Sequence, residues 1–470
     1  MKTVIFPLLA LCCSAATLGT YDLGKLSCSE FWQVRYGVTH ELTFPTAEAR
    51  TILERLAVDT EIRVAHQAFE VYSRMFVDVD KGIASKAFDR GDLNILGSDG
   101  PEGMFKTTRY WLADLKRKPD DGGRTWDDES GARAVRVLGL LGDASVLPEL
   151  AGLPGSRKPG FLTELAAAYR RLGSDEPYLA AVGQVLALPV KDNLPHQTIA
   201  IGYLLQTHPA RAKQAWERIH GELAGSPDLQ PAWVYGHYLQ QEFLAGGTLT
   251  APDIEKLGRS EVWQVRYCVN NMYPTRPREK KATMERLSVD TNARVAQQAF
   301  VLYSRTIVDI DKDIVRKALD RGDWDPPEYA GVDPKMFRTS KYWLDELGRR
   351  EDAAAKAGAI AMLGLLGDAN VLTAVTALPP SSNPFYLAEV ALAYRRLGSN
   401  PQYLATLEQI LALPVKDNLY YQTIAIDYLL QTHPDRARQA WETINLEIAK
   451  VPDLQANWVY GHVLQREQLP

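Results

Sequence analysis

The sequence predicts an all-α protein, an α-solenoid of about twelve helical hairpins arranged as two tandem homologous copies. Apolar residues recur at steps of three and four, the spacing that places them on one face of a helix. Strict apolar–polar alternation, the pattern of a half-buried strand, does not compete with that spacing. Long motifs from the first half of the chain also return in the second half, which indicates a duplication.

The duplication is clearest where a motif returns unchanged. Residues 32–36, Trp-Gln-Val-Arg-Tyr, recur as residues 263–267. Matching positions keep one spacing up to the loop-like residues 92–131 and a slightly shorter spacing after them, so the copies differ in length only there. We therefore expect the first copy to span residues 17–247 and the second copy to span residues 248–470.

Local signals predict where helices begin and end within each copy. Gly173 stands where a glycine in the left-handed conformation ends a helix. Pro209 fits a first helical turn, because the N–H that proline lacks would be unpaired there in any case. Asp192 precedes an apolar segment and is predicted to be a helix N-cap. The second copy has the same residue types at the matching positions: Gly398, Pro434 and Asp417.

Three segments carry a family resemblance. Residues 128–143, which contain Ala-Arg-Ala-Val-Arg-Val-Leu-Gly-Leu-Leu-Gly-Asp, resemble a HEAT repeat entering and filling its helix. Residues 59–65 and 290–296, both Asp-x-x-x-Arg-Val-Ala, resemble the pattern of the same family. The resemblance covers about two hairpins per copy. It implies stacked hairpins in which the aspartate and the arginine pair between successive repeats.

The first residues have the pattern of a secretory signal. A lysine precedes the apolar residues 4–13, a run too short to span a bilayer, and small residues follow it. We therefore predict that residues 1–16 are a signal peptide and that the protein is exported, to a periplasmic, extracellular or cell-surface location. We favour cleavage over lipid attachment at Cys12 or Cys13, because Leu11 stands where lipoprotein signals carry a small residue. We expect no transmembrane segment in the rest of the chain.

Charge and motif content narrow the possible partners. The formal net charge is −5, and no basic cluster marks a nucleic-acid surface, so nucleic acid is not expected as a partner. The acidic loops lack the spacing of a calcium loop, and the histidines form no pair with metal-ligand spacing. No phosphate loop or dinucleotide fingerprint occurs. We therefore predict neither a metal nor a cofactor.

Two matched aromatic–histidine motifs are the most suggestive candidates for a site. Residues 233–237 and 458–462 both read Trp-Val-Tyr-Gly-His. The candidate partner-binding residues in them are Trp233, Tyr235, His237, Trp458, Tyr460 and His462. A tyrosine and a histidine could act as acid and base, but residues two apart do not share a helix face. We favour a packing role, with partner contact and catalysis as the alternatives.

Other tryptophans offer further candidates. Trp126 and Trp324 have no counterpart in the other copy and therefore less packing reason to exist, so we predict that they contact a partner. Trp32 and Arg35 could also anchor a partner, since tryptophan and arginine are favoured in interfaces. A core tryptophan beside an arginine that pairs between repeats is the favoured interpretation of that second pair. Its counterparts are Trp263 and Arg266.

These observations predict an exported HEAT-like scaffold or binding protein without catalytic activity. It would hold a protein, a peptide or a cell-envelope polymer on its solenoid surface, because small rotations between repeats create an extended concave face. Two alternatives remain open. One is a polysaccharide-active enzyme of the helical-toroid type, and the other is a structural subunit of a cell-surface assembly.

Overall fold

The computed structural model describes residues 22–42, 45–91, 107–116, 129–223, 225–244, 254–271, 277–321 and 338–469. Three predictions concern residues outside these ranges: the signal peptide, the copy boundary at residue 247 and the contacts of Trp126 and Trp324. The chain divides into two compact units between Pro252 and Asp253. The described residues form helices and no strand, which confirms the predicted all-α class.

The first unit contains thirteen α-helices in its described part. They are α1 (Leu23–Leu26), α2 (Trp32–Glu41), α3 (Ala47–Leu56), α4 (Ile62–Met75), α5 (Lys81–Arg90), α6 (Thr108–Leu115), α7 (Glu129–Leu141), α8 (Leu147–Ala151), α9 (Pro159–Arg171), α10 (Asp175–Leu186), α11 (Val190–Thr207), α12 (Pro209–Leu223) and α13 (Pro231–Leu244).

The described part of the second unit also contains thirteen α-helices. They are α14 (Ile254–Gly258), α15 (Trp263–Asn271), α16 (Pro277–Leu287), α17 (Ala293–Thr306), α18 (Lys312–Arg321), α19 (Ser340–Arg349), α20 (Ala353–Leu366), α21 (Leu372–Thr376), α22 (Pro384–Arg396), α23 (Asn400–Leu411), α24 (Val415–Thr432), α25 (Pro434–Ile448) and α26 (Ala456–Gln465).

Most of the predicted helix starts and ends agree with the structure. Gly173 follows α9 with a φ of +79°, the left-handed conformation that glycine adopts without strain. Pro209 is the first residue of α12. The N-cap prediction for Asp192 was wrong, as it was for its counterpart Asp417. Helix α11 already begins at Val190, because Pro189 has an extended backbone that ends the preceding turn, and Asp192 lies in the first helical turn. A negative charge is favourable there as well, since it faces the positive end of the helix dipole.

One helix organises the core of each unit. In the first unit α9 packs against both α7 and α10, and α22 packs in the same way against α20 and α23 in the second. A Cβ atom added to Gly139 on α7 would lie only 2.6 Å from the Cα of Ala168. At Gly364 it would lie 2.8 Å from the Cα of Ala393. Both glycines are therefore required for the close approach of these helices.

An arginine at the end of the same helix bonds it to the end of α4. Arg171 donates from Nε to the carbonyl of Val77 at 3.1 Å and from Nη2 to the carbonyls of Ser73 and Phe76 at 2.5 and 3.1 Å. These carbonyls lie at the end of α4, where the helix leaves its last acceptors unpaired. The second unit repeats the arrangement with Arg396 as donor and Val308, Ser304 and Ile307 as acceptors.

Candidate functional site

The histidine of the first aromatic–histidine motif lies in the core. His237 on α13 is fully buried, and its ring stacks on Trp216 of α12 with centroids 4.9 Å apart and an interplanar angle of 3°. The indole Nε1 of Trp216 donates to the backbone carbonyl of His237 at 2.9 Å. His220 stacks on the same indole at 4.4 Å. The result is a layered aromatic cluster that joins α12 to α13.

The second unit builds the same stack without the second histidine. His462 on α26 is fully buried, and its ring lies parallel to that of Trp441 with centroids 5.1 Å apart. The indole Nε1 of Trp441 donates to the carbonyl of His462 at 2.7 Å. Asn445 occupies the position that matches His220. The tryptophan–histidine pair is therefore the part of the cluster that both units contain.

Burial sets the protonation state of these two histidines. Burial, with a smaller contribution from the neighbouring His220 ring, lowers the pKa of His237 to about 3. Burial alone lowers the pKa of His462 to about 3. Neither ring has a hydrogen-bond partner for its nitrogens among the described residues. Both rings are therefore neutral at physiological pH and lack the oriented partner that a general base requires.

The other residues of the two motifs divide between core and surface. Tyr235 is fully buried and Tyr460 is 7% exposed, whereas Trp233 and Trp458 are half-buried. A partner that touched these motifs would therefore meet the two tryptophans first. Trp216 and Trp441, which were not among the predicted site residues, are the residues on which the histidines stack. The sequence feature that could have pointed to these two tryptophans is that they occupy matching positions in the two copies.

The Trp32–Arg35 pair has a structural explanation. Arg35 pairs with Asp59 through two hydrogen bonds of 2.7 and 2.9 Å, and its Nη1 donates to the carbonyl of Ser29 at 2.7 Å. Burial raises the pKa of Asp59, but the hydrogen bonds from Arg35 and from the Glu61 backbone outweigh it and lower the pKa overall. This side chain therefore connects α2 to the segment that precedes α4. Arg266 and Asp290 form the same pair in the second unit at 2.7 and 2.9 Å.

A groove lies in the second unit, between α23 and α25 with α24 beneath it, and has a volume of about 380 Å³. Its apolar lining consists of Leu404, Leu407, Leu411, Leu429 and Ala440. Leu407 and Leu429 are buried and form the floor, whereas Leu404 and Leu411 remain half-exposed. A volume of this size lies within the range of about 300–1,000 Å³ that is typical of ligand-binding clefts.

Polar side chains surround this groove. Glu408, Arg436, Gln439 and Thr443 are all exposed, and Arg436 pairs with Glu408 at 3.2 Å across the opening. The hydroxyl of Thr443 donates to the carbonyl of Gln439 in its own helix at 2.9 Å and does not bridge to α23. A ligand that entered the groove would therefore pass between side chains that can donate and accept hydrogen bonds.

The corresponding place in the first unit is bridged by an arginine. Arg218 occupies the position that matches Thr443, and its Nη2 donates to the carbonyl of Leu186 at the end of α10. Its Nη1 donates to Glu222 at 2.6 Å, which fixes the guanidinium. Gly183 stands in place of Glu408. An arginine therefore spans α10 and α12 where the second unit has an accessible apolar floor.

The described residues also bear on metals and membranes. Among them, no group of three or more histidine, cysteine, aspartate or glutamate side chains is arranged to hold a metal ion. Within the same ranges, no helix combines the length and the apolar character needed to cross a bilayer.

No protein-family model matches this chain, and no curated protein matches it either.

Proposed function

We propose that this chain is an exported, non-catalytic HEAT-like scaffold, formed by tandem duplication of one α-solenoid array, that holds an extended peptide segment of a partner protein. The accessible groove between α23 and α25 is the observation that carries the binding proposal. The duplicated solenoid is supported by the contacts that recur in both units, above all Arg35–Asp59 and Arg266–Asp290. Export rests on the signal-like pattern of residues 1–16.

The chemistry of the groove favours a peptide. Its leucine floor would accept an apolar side chain, and burial of such a side chain contributes about 1.5–3 kcal/mol. Gln439 on the rim offers both a donor and an acceptor, which is the complement of a backbone peptide group. The Arg436–Glu408 pair is exposed on both sides, so separating it for contacts with a ligand costs little.

The placement of the candidate acid–base residues supports a role without catalysis. His237 and His462 are fully buried, stack on tryptophans and have pKa values of about 3. A general base must reach the proton that it removes, and its pKa should lie near the working pH. Neither condition is met in this arrangement.

The test introduces into the groove the arginine that the first unit has at the matching position. Peptides selected from a random phage-displayed library against the whole chain should bind the wild-type protein. Thr443→Arg should weaken that binding at least about tenfold, because the new side chain can bridge α23 and α25 as Arg218 bridges α10 and α12. Thr443→Ala is the matched control and should retain the affinity, since position 443 is exposed in both variants.

Three outcomes would reject parts of the proposal. Equal peptide affinity of the Thr443→Arg and wild-type chains would show that the groove is not the site. Binding of purified envelope polysaccharide that Thr443→Arg abolishes, with no peptide binding, would identify a polymer as the ligand. Turnover of a polysaccharide that His462→Phe abolishes would establish an enzyme.

A further inference from the structure

A second pocket lies inside the second unit, away from the groove. It is small, about 30 Å³, and it is formed by α17, α20 and α22. The residues that matter for its chemistry are Arg305, Gly358, Ala361, Glu389 and Arg396. A polar cavity of this size has room for roughly two water molecules before any side chain moves. Arg305 is exposed, so it can move aside for a larger group.

A buried carboxyl group faces this pocket. Glu389 is only 8% exposed, and burial raises its pKa although Arg396 and Arg305 act in the opposite direction. No side chain among the described residues donates a hydrogen bond to it. Neither carboxyl oxygen of Glu389 is among the fully enclosed polar atoms that lack a partner, so the carboxyl group remains open to the pocket. Glu389 is therefore an acceptor poised for a ligand.

The first unit has an arginine beside the matching carboxylate. Glu164 occupies the matching position, and Arg136 on α7 lies against it with 3.5 Å between Nε and Oε2. Arg136 is only 6% exposed, so the guanidinium fills the space that the fold leaves there. Arg74 also interacts electrostatically with both Arg136 and Glu164. The site of the first unit thus accommodates a guanidinium even with a second arginine nearby.

The second unit has the carboxylate without the guanidinium. Ala361 stands in place of Arg136, and Gly358 stands in place of Arg133 one turn earlier on the same face of the helix. Both changes replace a long cationic side chain with a small one, and both residues line the pocket. Arg305 has also lost the carboxylate that its counterpart Arg74 contacts at 2.5 Å, because Val301 replaces Glu70. The pocket therefore lies where the first unit has Arg133 and Arg136, and its wall contains Phe385 in place of Gly160.

We propose that the pocket beside Glu389 binds an alkylguanidinium group, such as the side chain of a partner's arginine, in the place that Arg136 occupies in the first unit. The planar guanidinium presents paired donors that match a carboxylate, which a spherical cation does not. Ala361 and Gly358 are small, displacement of the exposed Arg305 enlarges the pocket for the head group, and Glu389 supplies the acceptor. This site is separate from the groove between α23 and α25, and its test depends neither on peptide binding nor on the variants at Thr443.

Methylguanidinium is the probe, added to the whole chain while the methyl resonances of Leu365 in the pocket wall are followed by NMR. The expected result is a saturable shift that Glu389→Gln weakens at least about tenfold and that Ala361→Arg abolishes. Tetramethylammonium, which has the same charge but no N–H donors, should not reproduce it. An unchanged titration in Glu389→Gln, an equal response to tetramethylammonium, or no saturable shift in the wild type would overturn the proposal.

A reciprocal variant keeps the test independent of whether Ala361→Arg folds. Arg136→Ala should open the matching pocket beside Glu164 in the first unit. The methyl resonances of Leu140, which matches Leu365, should then respond saturably to methylguanidinium. If Leu140 does not respond while Arg136→Ala remains folded, the first unit is not a template for guanidinium binding and the assignment fails.

Discussion

Replacing His462 with phenylalanine tests whether the aromatic–histidine motif of the second unit is sealed in the core. The ring is fully buried and lies parallel to that of Trp441 at 5.1 Å, a geometry that a phenyl ring can adopt. The hydrogen bond from Trp441 goes to the backbone carbonyl of His462, so the substitution leaves it in place. The change therefore removes the titratable ring and little else.

The expected effect follows from proton linkage. The pKa of His462 is about 3 in the folded chain and near its ordinary value of 6.5 in the unfolded chain. Between these values the unfolded chain binds a proton that the folded chain rejects, so stability falls as pH falls. Going from about pH 7.5 to about pH 5 should therefore lower the free energy of unfolding by about 2 kcal/mol through this one group. His462→Phe should lose none of that amount.

Hydrogen exchange measured by mass spectrometry on the whole chain can localise the effect. Peptides from α25 and α26 should lose protection at about pH 5 in the wild type, after correction for the intrinsic exchange rate, and keep it in His462→Phe. His433→Gln is the matched control, because His433 is the other histidine of the second unit and is only half-buried. If wild type and His462→Phe lose protection equally, the ring titrates near its ordinary pKa and is open to solvent. Partner contact or acid–base chemistry at the motif would then be favoured again.

Three further predictions concern the fold and the processing of the chain. Arg171→Met should lower the free energy of unfolding by about 3 kcal/mol in urea, because three carbonyls at the end of α4 lose a charged donor; unchanged stability would show that water replaces the arginine. Gly364→Ala should destabilise by about 1–3 kcal/mol, since its Cβ would lie 2.8 Å from the Cα of Ala393. Gly358→Ala on the same helix has no atom within 4 Å and should be neutral or stabilising; equal effects of the two alanines would contradict the close-packing explanation. Intact-mass measurement of the exported protein should give a chain beginning near Thr17, and a retained Met1 or a lipid on Cys12 or Cys13 would refute the signal-peptide prediction.

The fold class and many helix ends could be predicted because local chemistry determines them. Gly173 and Pro209 act through their own backbone preferences, so their roles do not depend on distant residues. Asp192 was misplaced because an aspartate is favourable both at the N-cap and in the first turn, and only the extended Pro189 decides between them.

The pairing between repeats that the family resemblance implies stays a prediction, but the structure shows which arginine its aspartate contacts. The family resemblance implies an aspartate–arginine pair, and Asp59 does form one. Its partner is Arg35, whereas Arg63 of the same motif pairs with Glu61 at 2.8 Å and lies 3.7 Å over the ring of Trp32. Which arginine reaches the carboxylate depends on how the helices pack. Sequence spacing does not give the distance between side chains on different helices.

The candidate site was harder to predict, because motifs that match in the two copies indicate residues required for the packing of both. The Trp-Val-Tyr-Gly-His motifs recur because their tyrosines and histidines pack in the core of each unit. The groove and the Glu389 pocket depend instead on positions where the copies differ, such as Arg218 and Thr443. The useful sequence signal was therefore a mismatch inside an otherwise matched helix.

These two mismatches share a direction, because each places a smaller, uncharged residue where the first unit has an arginine. Arg136 and Arg218 each cover a feature of the first unit, and the second unit has Ala361 and Thr443 in their places. Glu389 is nevertheless buried at 8% exposure, and Arg396 and Arg305 are the cations that act on it. The guanidinium proposed for this pocket would therefore be the counterpart of Arg136, supplied by a ligand. Ala361→Arg, which returns an arginine to that position, should leave no room for it.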